Sequence, residues 1–201
     1  AGGQQQYLLR NVHLGKGADC GAWSMVFVGC TGEVPAASGG AEDTAAVTVV
    51  DEPRVRVEKP YIAMKADLSS FELRVPRAIL RSTPDYTVEP LIHGQHEEAR
   101  DFSRVRMVRD SDPVNRIQEA LDEGKDVVLS PGIYTLEKTI MMDHPGQVLL
   151  GLGLATLEAP RDGTPCVKVK PGVPGIRVAG VMLEATEMNA SAAKGTKNAL
   201  F

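Results

Sequence analysis

Residues 126–160 read "DVVLSPGIYTLEKTIMMDHPGQVLLGLGLATLEAP". Short apolar runs (VVL, IYTL, TIMM, VLLGLGLATL) alternate with breaks of two to four residues rich in Gly, Pro, Asp and His. No helical period separates them, so the stretch must fold as strand after strand. "DVVLSPG", "QVLLGLG" and "IRVAGVM" look like successive versions of one unit, opened by Val127, Val148 and Ile176 at spacings of about 21 and 28 residues. A period in that range marks a solenoid, in which each repeat buries its apolar face only against its neighbours. An antiparallel sandwich would need hairpin signals such as Asn-Gly or Asp-Gly between strands, and only "RDGTP" at 161–165 offers one. The expected fold is therefore all-β: a parallel β-helix.

One helix precedes these strands. In "DSDPVNRIQEALDEGKD", Ser111 or Asp112 can cap, and Pro113 suits the first helical position, where its absent N–H costs nothing. Val114, Ile117 and Leu121 share one face, and Gly124 supplies a left-handed C′ residue. A helix of about three turns with one apolar stripe must lie on something apolar.

The chain divides into three zones. Residues 1–32 hold two strands, in "YLLRNVHLGKG" and "AWSMVFVGC". Residues 33–107 form a β-rich connector with strands at 47–50, 55–57, 61–65 and 71–75, and with Pro53, Pro60 and Pro76 at strand ends, where a missing donor is tolerable. The stretch 81–99 shows no period and reads as loop. Residues 108–201 begin the β-helix, and the final "TEMNASAAKGTKNALF" supplies no cap for it.

Composition narrows the classes further. The chain has 201 residues, 43% of them hydrophobic but only 4% aromatic, so the core must be aliphatic. The net charge of −4, with Lys and Arg scattered, argues against nucleic-acid binding and against a polybasic membrane anchor. No run approaches the length needed to span a bilayer. The chain begins Ala-Gly-Gly rather than Met, which suggests a processed or partial chain.

The third zone resembles the opening of right-handed β-helix domains in the pectate-lyase-like superfamily, over about 75 residues. The resemblance rests on Ile117-Gln118, Ala120-Leu121, Val127–Leu129, Pro131-Gly132-Ile133-Tyr134, Thr139–Met142 and Leu149–Gly153. It implies a right-handed coil whose open lower end is capped by the helix. The Gly-Asp-Gly-x-x-Asp-Asp stretch common before that helix is absent here; "RDSDPVN" stands in its place. In addition, "LLRNVHL" in the first zone resembles "RVAGVML" at 177–183, so the first zone reads as the last coil of a preceding β-helix. The whole then resembles tandem β-helix enzymes such as the exo-β-1,3-glucanases. This implies a protein, extracellular or on the cell surface, that binds a polysaccharide and cleaves it as a glycoside hydrolase or lyase. The competing expectation is a non-catalytic structural or adhesive module, with other chains covering the open β-helix end.

Candidate site residues follow from that chemistry. Hydrolysis needs two carboxylates, and lyase chemistry needs a base, often beside Ca2+; the sequence admits Ca2+ without requiring it and demands no other cofactor. Glu158 and Glu184 end equivalent strands in consecutive coils and can stack on one surface. Asp143 and His144 occupy a turn directly after a strand, open either to substrate or simply to solvent. Trp23 is a sugar-stacking platform or, with Met25 and Phe27, a core residue. His93 and His96, beside Glu97 and Glu98, lack a third metal ligand and read as polar loop. His13 lies outward on a strand. "GLGLAT" at 151–156 is no phosphate loop, because a strand and not a helix follows it. Cys20 and Cys30 read either as a disulfide or as two buried thiols, and Cys166 as an inward strand residue. Asn189-Ala190-Ser191 fits the N-glycosylation pattern.

Overall fold

The computed structural model describes residues 6–16, 24–39, 46–80 and 97–185. They divide into two compact units, one drawn from Ala1–Glu58 and Pro76–Glu97, the other from Lys59–Val75 and Glu98–Phe201. Both are built almost wholly of strands, and parallel pairing dominates. Among the described residues the fold is a right-handed parallel β-helix with one short α-helix, preceded by β-rich segments.

In the first unit, β1 (Gln6–Arg10) is followed by β2 (His13–Leu14), β3 (Ser24–Val28), β4 (Thr31–Gly32), β5 (Ala46–Val50) and β6 (Val55–Arg56). β1, β3 and β5 stack in parallel, with Tyr7 beside Met25 and Met25 beside Val47. β2 and β4 form a second parallel stack. Inward residues are apolar: Phe27 is fully buried, with Met25, Cys30 and Val47 around it. Between the two stacks the chain turns through left-handed residues, Asn11 (φ 54°) and Gly29 (φ 58°). These are coils of a solenoid, and the turn falls where "LLRNVHL" breaks its apolar pattern.

The second unit starts with an antiparallel hairpin, β7 (Tyr61–Met64) and β8 (Phe71–Pro76). β9 (Ile79–Leu80) belongs to the first unit, where it pairs antiparallel with β6. β10 (Glu97–Asp101) joins the β7–β8 sheet, so the expected loop at 97–99 is strand. β11 (Val105–Val108) leads to the helix α1 (Asn115–Asp122), and β12 (Asp126–Leu129), β13 (Ile133–Thr135) and β14 (Ile140–Met142) complete the first coil. β15 (Val148–Glu158) and β16 (Val167–Val169) form the second coil, and β17 (Arg177–Glu184) opens the third.

The coils have three sides. On the first side, β11, β12, β15 and β17 stack in parallel, with Val127 beside Leu149 and Leu149 beside Val178. The second side stacks β13, the later half of β15 and the later half of β17. The third stacks β14 and β16. The registers differ slightly from the expected one: Val127 partners Leu149 rather than Val148, and Val148 partners Arg177 rather than Ile176.

Inside the coils lies an aliphatic column. Val127, Leu129, Tyr134, Leu136, Ile140, Met142, Leu149 and Leu157 all sit in one cluster, each with 4% or less of its surface exposed. Burying each such Leu, Ile or Val contributes about 1.5–3 kcal/mol. Cys166 lies in the same column just before β16, its Sγ against the Leu157 carbonyl oxygen at 3.5 Å, and burial raises its pKa. Val178 and Leu183 face the column but remain 39% and 44% exposed, because no described strand stacks beyond β17.

The helix covers the lower end of this column with Ile117, Ala120 and Leu121. Its start differs from expectation. The N-cap residue is Val114, with no side-chain cap, and the Asp112 carboxylate instead accepts a hydrogen bond from the Arg109 N–H at 2.9 Å. Its end follows the sequence: Gly124 (φ 72°) donates to Leu121 O and Lys125 to Ala120 O, the paired bonds of a Schellman motif. Gln147, buried, donates from Nε2 to Leu121 O at 2.7 Å and so ties the helix end to the second coil.

The outward face of the first side is also apolar. Val105, Val128, Val148 and Leu150 pack under Leu73, Val75 and Ile62 of the hairpin. β12 is therefore buried on both faces, which explains an uninterrupted "DVVL" without alternation. At its rim Arg100 Nη1 lies 2.9 Å from both Asp126 carboxylate oxygens and from Gly146 O, while its other donors reach Glu98. Asp126 also accepts the Val148 N–H at 2.8 Å.

Two predictions follow from this packing. A Cβ at Gly180 (φ 69°) would fall 2.3 Å from Gly151 O, whereas one at Gly172 (φ 79°) meets nothing within 4 Å. Gly180→Ala should therefore cost about 2–4 kcal/mol from clash plus strain, and Gly172→Ala only about 1 kcal/mol from strain; equal shifts of the urea midpoint would refute the close stacking of the two corners. Asp126→Ala strips the buried Arg100 of one of its two carboxylate partners and removes the acceptor of the Val148 N–H, and should cost about 3–5 kcal/mol in the same assay.

Candidate functional site

With the first side covered by the hairpin, the second side offers the longest run of outward strand residues in the second unit. Strand alternation sorts them into two files. Tyr134 and Leu157 point inward, 2% and 0% exposed. Their neighbours Ile133, Thr156 and Met182 form one outward file, in register across three coils. Thr135, Glu158 and Glu184 form the other. Within a file, successive residues stand about 4.8 Å apart along the coil axis, and the two files run about 6.6 Å apart.

The files differ in chemistry. Ile133 and Met182 are 61% and 51% exposed and present C–H surface, whereas Thr156 between them is buried, its hydroxyl donating to Leu154 O at 3.1 Å. The second file presents oxygen: Thr135 Oγ1 donates to Glu158 Oε2 at 2.6 Å, and Glu184 follows directly on the next coil. The expected stacking of Glu158 and Glu184 thus has its geometry in the paired register.

Leu154 stands at the corner leading into this side. It holds a left-handed backbone (φ 63°) after Gly153 (φ 45°), and 77% of its surface is exposed. A leucine there costs about 1–2 kcal/mol of backbone strain, and nothing in the apolar pattern announces it. Here the strand bulges: Leu150 and Ala155 of β15 flank four residues against the single Gly180 of β17. "GLGLAT" is this corner, within a strand.

Asp143 and His144 lie elsewhere. They follow β14, at the corner where the third side returns to the first, so the whole third side separates them from Glu158. His144 Nδ1 and Asp143 Oδ1 are 3.0 Å apart, both side chains nearly half exposed. The structure does not join the two candidate pairs into one site. His13 points outward, its Nδ1 3.0 Å from Thr31 Oγ1. Cys30 is a buried free thiol, its Sγ 3.6 Å from Leu9 O. Cys20, Trp23, His93, His96 and Asn189 lie outside the described residues.

Below the third side a groove of about 550 Å3 separates α1 from β14 and the segment before it, lined in part by Val114, Gln118, Glu119, Leu136, Lys138 and Met141. Its polar groups are largely engaged with one another: Asn115 donates to Glu119 at 2.7 Å and Gln118 to Asp122 at 2.7 Å. Among the described residues no three His, Cys, Asp or Glu side chains gather to hold a metal ion, and no helix is long and apolar enough to cross a membrane.

Comparison with known proteins agrees with this architecture. Residues 105–199 match the model of the LAM55 pectate lyase-like domain. An exo-beta-1,3-glucanase of Streptomyces sp. (strain SirexAA-E / ActE) is 30% identical over 186 residues, which make up 92% of this chain and 29% of that protein. The structure of sacteLam55A from Streptomyces sp. SirexAA-E aligns over 92% of this chain and 32% of its own, with a TM-score of 0.74 and 28% identity. A variant of sacteLam55A in complex with glucose aligns over 90% of this chain and 30% of its own, with a TM-score of 0.69 and 26% identity. This chain therefore spans about a third of the length of these relatives. Stacked parallel coils, the capping helix and these matches together make the chain similar to the pectate-lyase-like parallel β-helix proteins, most directly over residues 105–199.

Proposed function

We propose that this chain is part of a polysaccharide-degrading enzyme acting on a β-1,3-linked glucan, and that the second side of its β-helix contacts the polymer. The observation that carries the reading is the exposed C–H surface of Ile133 and Met182 beside a file of oxygen acceptors, on the side that the hairpin leaves open. A pyranose ring has the complementary make-up, with apolar C–H faces and a rim of hydroxyl donors. Ile133 and Met182 would meet the faces, and Thr135, Glu158 and Glu184 the hydroxyls. The name of the 30%-identical relative supplies the glucan linkage. An enzyme whose substrate is an insoluble or cell-wall polymer works outside the cell, so we place it there or at the cell surface.

The test is binding of β-1,3-linked glucose oligomers by calorimetry. Glu158→Gln with Glu184→Gln should weaken binding about tenfold or more, since hydrogen bonds to charged groups contribute about 1.5–3 kcal/mol. Asp143→Asn with His144→Ala should leave it unchanged. The opposite pattern would move the contact to the corner after β14. Absence of binding to any oligomer by the unsubstituted protein, with the native circular dichroism spectrum retained, would favour a structural module instead.

A further inference from the structure

A parallel β-helix has a strand-edge problem at its first coil. Each of its sides presents N–H and C=O groups with no coil beneath them, and such edges recruit other strands. On the first side β11 lies beneath β12 and pairs with it over four residues. At the corner that opens the second side, the Tyr134 hydroxyl donates to Val108 O, 3.0 Å away, and a Cβ on Gly132 would lie 2.4 Å from the Asp110 Cβ, so the turn before the helix packs against that corner.

The third side has neither. Ile140 N–H donates upward to Cys166 O, and Met142 O accepts from Lys170 N–H above. Backbone groups alternate along a strand, so the N–H and C=O of Met141 point down, toward the groove. There they meet a side chain. Met141 N–H donates to Gln118 Oε1 at 2.8 Å, and Gln118 Nε2 donates to Met141 O at 3.1 Å. A glutamine side chain ends in an amide, chemically a peptide group. Gln118 therefore occupies the place of a strand, one peptide wide, while its neighbour Ile117 is buried in the column.

We infer that Gln118 is an edge guard: its side-chain amide blocks the free edge of β14 against strand addition by a second copy of this chain. The groove beside it is the space such a strand would enter, with Val114, Leu136 and Met141 offering apolar contact. The amide is held in place by Asp122, which accepts from the same Nε2 at 2.7 Å.

The experiment compares the full chain with Gln118→Ala. Loss of both bonds should speed hydrogen exchange at the Met141 amide about tenfold or more, and self-association measured by sedimentation should strengthen by about the same factor. A double variant, Gln118→Ala with Met141→Pro, identifies the edge. Proline removes the downward N–H without touching the bonds from Ile140 and Met142 to the coil above, so it should return association to the level of the unsubstituted chain. Association through the β17 edge would be common to all three proteins and cancels in the comparison. The inference fails if Gln118→Ala sediments like the unsubstituted chain, or if it associates and the added proline does not reverse it. Should Gln118→Ala lose the native circular dichroism spectrum, Gln118→Asn, which is one methylene too short to reach β14, is read in the same two ways.

Discussion

Parallel stacking of equivalent strands is the constraint on which the second unit depends. Val127, Leu149 and Val178 occupy one file because the inward side chains of each coil bury against those of the coils above and below. The column they build is aliphatic and narrow. It leaves each lateral side free to acquire a separate task. The first side is given over to packing, under the hairpin. The second turns outward with mixed apolar and acidic chemistry. The third is only three residues deep and meets the capping helix.

Register matters for the same reason. Shifting a strand by one residue would turn its inward set outward. The Arg100–Asp126 pair and the Gln147 side chain act against such a shift. Asp126 accepts both from Arg100 and from the Val148 backbone, so it fixes the first coil against the second, and Gln147 links the second coil to the helix end. These polar ties surround the column without entering it.

The architecture was legible in the apolar runs and their spacing, and the helix stop in Gly124. The register was not, because "VVL" and "VLL" are buried on both faces. Without a polar alternate residue, nothing in such a run says which side chain points in, and the repeat spacing aligns Val148 where Leu149 belongs. The hairpin was hidden for a related reason. Its turn uses Leu68 in the left-handed region and Asp67 accepting from Ser69 N–H at 3.0 Å, with no Asn-Gly or Asp-Gly to announce it. Its partner surface comes from residues far along the chain, which local pattern does not reveal. Of the site, the equivalence of Glu158 and Glu184 could be read from strand ends. Ile133 and Met182 could not, since an exposed apolar residue on a strand looks like a buried one. Gln118 was visible only as part of a family pattern; its pairing with Met141 requires knowing that β14 has no strand beneath it.

The corners of the coil carry a further meaning. Four residues join the second side to the third in the first coil, and eight do so in the second, yet β14 and β16 still pair in register. Chain length is thus absorbed where the backbone leaves the sheets. A scaffold of this kind can lengthen the rim beside Glu158 without disturbing a single interior contact, so evolution or design can reshape the ground next to the acidic file while the stack behind it stays fixed.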